Sequence, residues 1–141
     1  FHLDQRVGKE GKIFENDISR KGLGEIQSRS KREGVNNIET VLGEIDDPLF
    51  PRKDLDMIIM VYVLHHLEKP LEFLDNLKKY LKPEARLVII ERNAPIRGSH
   101  YPDFLTKSQV QEMLQKTIFQ MDRIETFLPK DNIFLYKLPG H

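Results

Sequence analysis

Four places in this sequence of 141 residues could do chemistry, and each follows a stretch with strand character. Asp17 follows residues 12–16, Glu44 and Ile45 follow residues 38–42, Tyr62 to His66 end the apolar run 56–63, and Arg92 to Tyr101 follow residues 85–91. In open α/β sheets ligands bind beyond the C-terminal ends of the strands. An acid that ends a strand next to a helix start can accept two hydrogen bonds from a ribose diol. The same Asp17 serves equally well as a turn or capping residue. The adjacent His65 and His66 could move a proton near neutral pH, or one of them could simply pack or cap a helix start. They make no convincing metal site, because neighbouring residues on a helix point in different directions, so no metal is expected. The stretch 93–104, with Arg97, His100 and Tyr101, reads as a pocket-shaping loop or as an ordinary polar one.

Those residues need a scaffold, and the pattern of the chain supplies one. Residues 3–7 have helical spacing and stop at Gly8. A strand at 12–16 leads through Ser19, a capping residue, into a helix over 20–33 that ends at Gly34, with Leu23, Ile26 and Ser30 on one stripe. A second strand at 38–42 runs into the acidic turn 43–47. The nearly unbroken apolar run 56–63 suits a parallel strand buried on both faces, and therefore a central one. Leu71, Leu74, Leu77, Tyr80 and Leu81 recur at helical intervals over 70–81, closed by Lys82 and Pro83. Residues 85–91 form another buried strand, 106–116 a helix capped by Thr106, and 120–127 with 132–138 a hairpin. Strands and helices that alternate and then end in a hairpin indicate one α/β domain over residues 1–141, with a mainly parallel sheet and an antiparallel edge.

Composition narrows the function classes. Lys plus Arg and Asp plus Glu both total 22, so no overall field draws the chain to nucleic acid or to an anionic membrane. With no cysteine, disulfide scaffolds, thiolate metal sites and cysteine nucleophiles are excluded, which fits a reducing cytosol and a cytoplasmic protein. No apolar run approaches the roughly 18 residues of a membrane span. Nothing in the sequence sets an oligomeric state.

Three stretches, GKIFENDIS, REGVNNIETVLGEIDDPLFPRKDLDMIIMVYVLHHL and LKPEARLVIIER, stand in an order and spacing that closely resemble class I S-adenosylmethionine-dependent methyltransferases. The likeness is to their small-molecule branch, which includes the ubiquinone and menaquinone methyltransferases. The resemblance implies a Rossmann-like sheet, S-adenosylmethionine as cofactor and direct methyl transfer to a small-molecule acceptor. It implies that Asp17 holds the cofactor ribose and Ile18 packs beside the adenine. Glu44, one carbon longer than the usual Asp, then accepts from the adenine amino group, and the Ile45 amide faces a ring nitrogen. Val61 and Tyr62 lie under the methionine part and the transferring methyl, and His65 and His66 open the next helix beside the acceptor pocket.

The glycine-rich turn of the GxGxG kind that follows the family's first strand does not occur here, and residues 1–7 match the helix after it. The resemblance therefore implies an upstream segment of roughly 30 residues or more, bearing the first strand, on which the activity of this chain depends. Two other readings compete: a non-catalytic scaffold of the same fold, and an oxidoreductase whose nicotinamide nucleotide is held by Asp17. The LHHL run and the acidic turn at Glu44 argue against the latter.

Overall fold

The computed structural model describes residues 2–93 and 104–140. The chain divides into two compact units, Phe1–Pro51 and Arg52–His141.

In the first unit, helix α1 (His2–Arg6) precedes strand β1 (Ile13–Asp17), helix α2 (Arg20–Glu33) and strand β2 (Ile38–Leu42). Helix α2 begins and ends where its side chains dictate. The Ser19 hydroxyl accepts from the Gly22 N–H, and Gly34 sits in the left-handed region at φ 65°, returning its N–H to the carbonyls of Lys31 and Ser30. Leu23 and Ser30 are buried on the stripe expected of them. Strands β1 and β2 run parallel with Asp17 opposite Leu42, so their C-terminal ends lie side by side. The link between them is the crossover helix that a parallel pair requires.

In the second unit, strand β3 (Leu55–Val61) leads through a single 3₁₀ turn (Leu64–His66) to helix α3 (Pro70–Leu77). A second 3₁₀ turn (Lys78–Tyr80) passes directly into strand β4 (Leu81–Arg92), and helix α4 (Lys107–Leu114) precedes the hairpin of β5 (Gln120–Glu125) and β6 (Asp131–Lys137). Their sheet has the order β3-β4-β6-β5, with β3 parallel to β4 and the other two pairings antiparallel. Leu74, Leu77, Leu87, Ile89, Val110, Leu114 and Phe134 are wholly buried and form the core of this unit. Thr106 caps α4 through a full capping box with Gln109.

The parallel pairs β1-β2 and β3-β4 with the antiparallel closing hairpin are the α/β arrangement expected. Two expectations are corrected here. Strand β3 is outermost in its sheet among the described residues and not central, and Met57 and Val61 are about half exposed. The helical pattern of 70–81 stops at Leu77, since Leu81 instead pairs with Leu55 and begins β4. Pro83 is tolerated in that strand because the ladder is irregular there, between the Leu55 and Met57 pairings.

Candidate functional site

The two acid–isoleucine steps lie at neighbouring strand ends of the first unit. Asp17 closes β1, and the Gly43 N–H bonds its carbonyl at 3.0 Å, which ties the turn after β2 to the end of β1. Asp17 Oδ1 accepts the Ser19 N–H at 2.9 Å, so this residue does shape a turn. Its Oδ2 lies where a β-carbon on Gly22 would come within 2.8 Å, so a larger residue there would push the carboxylate aside. The acidic turn is held by the Glu44 N–H on the Asp47 carbonyl, and its Glu44 side chain is exposed. Beside the two acids, Ile18 is 58% and Ile45 39% exposed. Large apolar side chains left in solvent next to strand-end acids suit the flat faces of a heterocycle.

Asn16 is a supporting residue that sequence reasoning missed. Its Nδ2 donates to the carbonyls of Val41 and Pro48, at 3.2 and 2.6 Å, and so pins the acidic turn to β1. A β-carbon on Gly43 would meet that amide at 2.9 Å.

In the second unit, Val61 and Tyr62 stand at the C-terminal end of β3, as expected. Tyr62 adopts φ 56°, a left-handed conformation that side chains other than glycine rarely take. Its N–H still bonds the Ile90 carbonyl at 3.0 Å, so the ladder reaches it before the chain turns. The Arg92 guanidinium lies 4.6 Å from the centre of the Tyr62 ring. Donation of the hydroxyl to the Asp131 carboxylate, with burial and the Asp131 charge, holds the Tyr62 phenol above its ordinary range against the opposing Arg92 charge.

His65 and His66 occupy the 3₁₀ turn and not the opening of an α-helix, and their ring centroids approach to 4.0 Å where α-helical neighbours would diverge. His66 is exposed, whereas the His65 side chain is nearly buried and its Nδ1 lies 2.7 Å from Glu91 Oε2. Glu91, fully buried on β4, was not singled out in the sequence. Parity holds the missing signal: Leu87, Ile89 and Glu91 alternate onto one face of the strand, so an acid stands where the core demands an apolar residue. Of the loop 93–104, residues 94–103, with Arg97, His100 and Tyr101, lie outside the described residues.

A cavity of about 760 Å³, bounded by Asp4, Lys9, Arg29, Glu33 and Asn37 among others, lies at the other ends of β1 and β2. The strand-end residues described above line none of it, and ligands of such sheets bind at the C-terminal ends. Among the described residues no three potential metal ligands cluster, and no helix is long and apolar enough to cross a membrane.

The strand directions, the antiparallel closing hairpin and the acid-bearing strand ends define the fold of S-adenosylmethionine-dependent methyltransferases. A crystal structure of such an enzyme from Aquifex aeolicus superposes with a TM-score of 0.88 at 23% identity, covering 97% of this chain and 74% of that one. The trans-methyltransferase CalH in complex with SAH superposes at 0.70 and 19% identity, covering 90% of this chain and 42% of that one. In sequence, residues 2–89 match the family described as "Methyltransferase domain". The chain belongs to this family of class I S-adenosylmethionine-dependent methyltransferases. It is similar to the demethylmenaquinone methyltransferase of Lactococcus lactis subsp. lactis (strain IL1403), 30% identical over 95 residues, which cover 67% of this chain and 38% of that protein. The chain thus spans about two fifths of that relative's length.

Proposed function

We propose that this protein transfers the methyl group of S-adenosylmethionine to a small-molecule acceptor by direct displacement, and that residues 1–141 serve as one methyltransferase domain. The observation that carries this reading is the pair of acid–isoleucine steps, Asp17-Ile18 and Glu44-Ile45, at the adjoining ends of two parallel strands. Those residues fit a purine nucleoside. The Asp17 carboxylate, with Oδ2 in the space that Gly22 leaves, accepts from the ribose diol. Ile18 packs beside the adenine, Glu44 accepts from its amino group, and the Ile45 amide donates to a ring nitrogen.

When bound, the cofactor supplies a methyl group on a positively charged sulfur. In the second unit, Val61 and Tyr62 border the methionine side. His65 and His66 stand beside the acceptor and take its proton where the acceptor must lose one. Displacement at a methyl carbon needs the acceptor in line more than it needs strong acid–base help, and such positioning is worth ~7–11 kcal/mol. A protein with no cysteine suits the reducing cytoplasm, where we place it.

Calorimetric titration of the full-length natural protein with S-adenosylmethionine, and separately with a nicotinamide dinucleotide, tests the reading. Binding of the first alone is expected, and binding of neither would favour a non-catalytic scaffold. Asp17→Ala should then weaken S-adenosylmethionine binding by ~1.5–3 kcal/mol, or roughly tenfold to over a hundredfold. An unchanged affinity removes Asp17 from the site.

A further inference from the structure

We propose that Arg92 is a specificity residue that grips a carboxylate on the acceptor, so that the molecule methylated is a small carboxylic acid. That the bound acid is the methyl acceptor rests on the methyl-transfer reading above; the carboxylate site itself does not.

The observation behind it is a guanidinium left unmatched. The other described arginines of the second unit are all spoken for: Arg52 pairs with Asp54, Arg123 with Glu125 at 2.7 Å, and Arg86 with the Glu84 carbonyl at 2.8 Å and with Asp122 at 4.0 Å. Arg92 alone makes no hydrogen bond and no ion pair among the described residues, although it is partly buried. A charge drawn out of water with nothing to match it is costly, and an anion that reaches its N–H donors recovers that cost.

The surroundings keep this group both fixed and free. Arg92 is the last residue of β4, its Cα opposite Asp131 of β6, and the next N–H, of Asn93, bonds the Lys130 carbonyl at 2.9 Å. Opposite charges that face each other across an antiparallel pair normally attract and bond. Here they do not. Asp131 meets the Tyr62 hydroxyl, and its Oδ1 is buried without a hydrogen-bond partner among the described residues. The Arg92 guanidinium lies over the Tyr62 ring instead, 4.6 Å from its centre. Tyr62 thus engages both charges and keeps them apart. The other carboxylate close by, Glu91, precedes Arg92 by one residue, so it projects from the opposite face of β4, where it meets His65.

Contact with a ring uses the charge of a guanidinium and leaves its in-plane N–H donors unspent. Their parallel pair matches the two oxygens of a carboxylate. Tyr62 ends β3 on the side where the reading above places the methionine part of the cofactor. A carboxylate held by Arg92 therefore stands beside the transferring methyl, and the acceptor is an acid whose reactive atom lies close to that group.

Nitrogen–proton NMR of the arginine side chains in the full-length natural protein, loaded with S-adenosylmethionine, reads the site. Benzoate is the probe: it is expected to shift the Arg92 Nε–H resonance saturably, and neutral benzamide is expected to leave it in place. Arg92→Gln and Arg92→Lys should each weaken benzoate binding, followed by calorimetry, roughly tenfold to a hundredfold, as loss of a charge-assisted bidentate pair does. Asp131→Asn, which removes the competing carboxylate across the ladder, should bind benzoate at least as tightly as the wild type. No response to benzoate, an equal response to benzamide, or unchanged affinity in both Arg92 variants overturns the proposal. A response to inorganic phosphate with none to benzoate overturns the assignment to a carboxylate. Competition between benzoate and S-adenosylmethionine would give Arg92 to the cofactor's own carboxylate and overturn its role toward the acceptor. If calorimetry shows no cofactor binding, methyl transfer fails as the reading, while benzoate titration of the unloaded protein still decides the carboxylate site.

Discussion

Replacing Phe134 with alanine is expected to lower the unfolding free energy by about 3–5 kcal/mol, as truncation of a fully buried aromatic does. Phe134 is wholly enclosed on β6, opposite Ile89 of β4 on one side and Ile124 of β5 on the other. Its ring therefore holds the antiparallel hairpin against the strand that carries Glu91. The loss combines the transfer energy of the ring with the void left behind, and a sheet paired on both sides has little freedom to collapse into that void. Urea unfolding followed by circular dichroism measures the change. A loss under about 1 kcal/mol, on the same scale, would mean that the second unit does not depend on this strand for its core.

A gain in stability is expected from Tyr136→Phe, two residues along the same strand. Tyr136 is 2% exposed, and its hydroxyl finds no hydrogen-bond partner among the described residues. Removing a buried, unpaired polar group should raise stability by about 1–3 kcal/mol at neutral pH. Burial also pushes the Tyr136 phenol from 10.0 up to about 12. The unfolded chain ionises first, so the wild type loses stability as pH rises through the window from 10 to about 12. A rise of that size is worth about 3 kcal/mol, and Tyr136→Phe abolishes that share of the alkaline loss. Denaturation curves of both proteins at pH 8 and pH 12 give the comparison. A variant that is less stable at pH 8 would show that the hydroxyl has a partner after all.

Much of the scaffold was legible because its signals are local. Helix α2 is bounded by Ser19 and Gly34 as read, and β2 occupies the expected residues, since a cap and an alternating pattern each act within a few positions. The junction at Leu81 was misread for the opposite reason. Leu74, Leu77 and Leu81 continue a helical stripe on paper, and only pairing with the distant Leu55 turns the last of them into strand. The same limit hid the partner of β3, because an apolar run looks alike in the middle and at the margin of a sheet. In the candidate site, residue type and place single out Asp17, Glu44 and the histidines. Glu91 was overlooked at the end of an apolar strand, though its parity with Leu87 and Ile89 marked it. Asp131, which the Tyr62 hydroxyl meets, looked like an ordinary turn residue.

The left-handed backbone at Tyr62 sets two energies against each other at one position. A side chain there costs about 1–2 kcal/mol of backbone energy that glycine would not incur, yet a large aromatic stands in that place, under Arg92 and against Asp131. What glycine would gain in backbone energy at position 62 it would lose in contacts, since the ring that lies against Arg92 and the hydroxyl that meets Asp131 would both be gone.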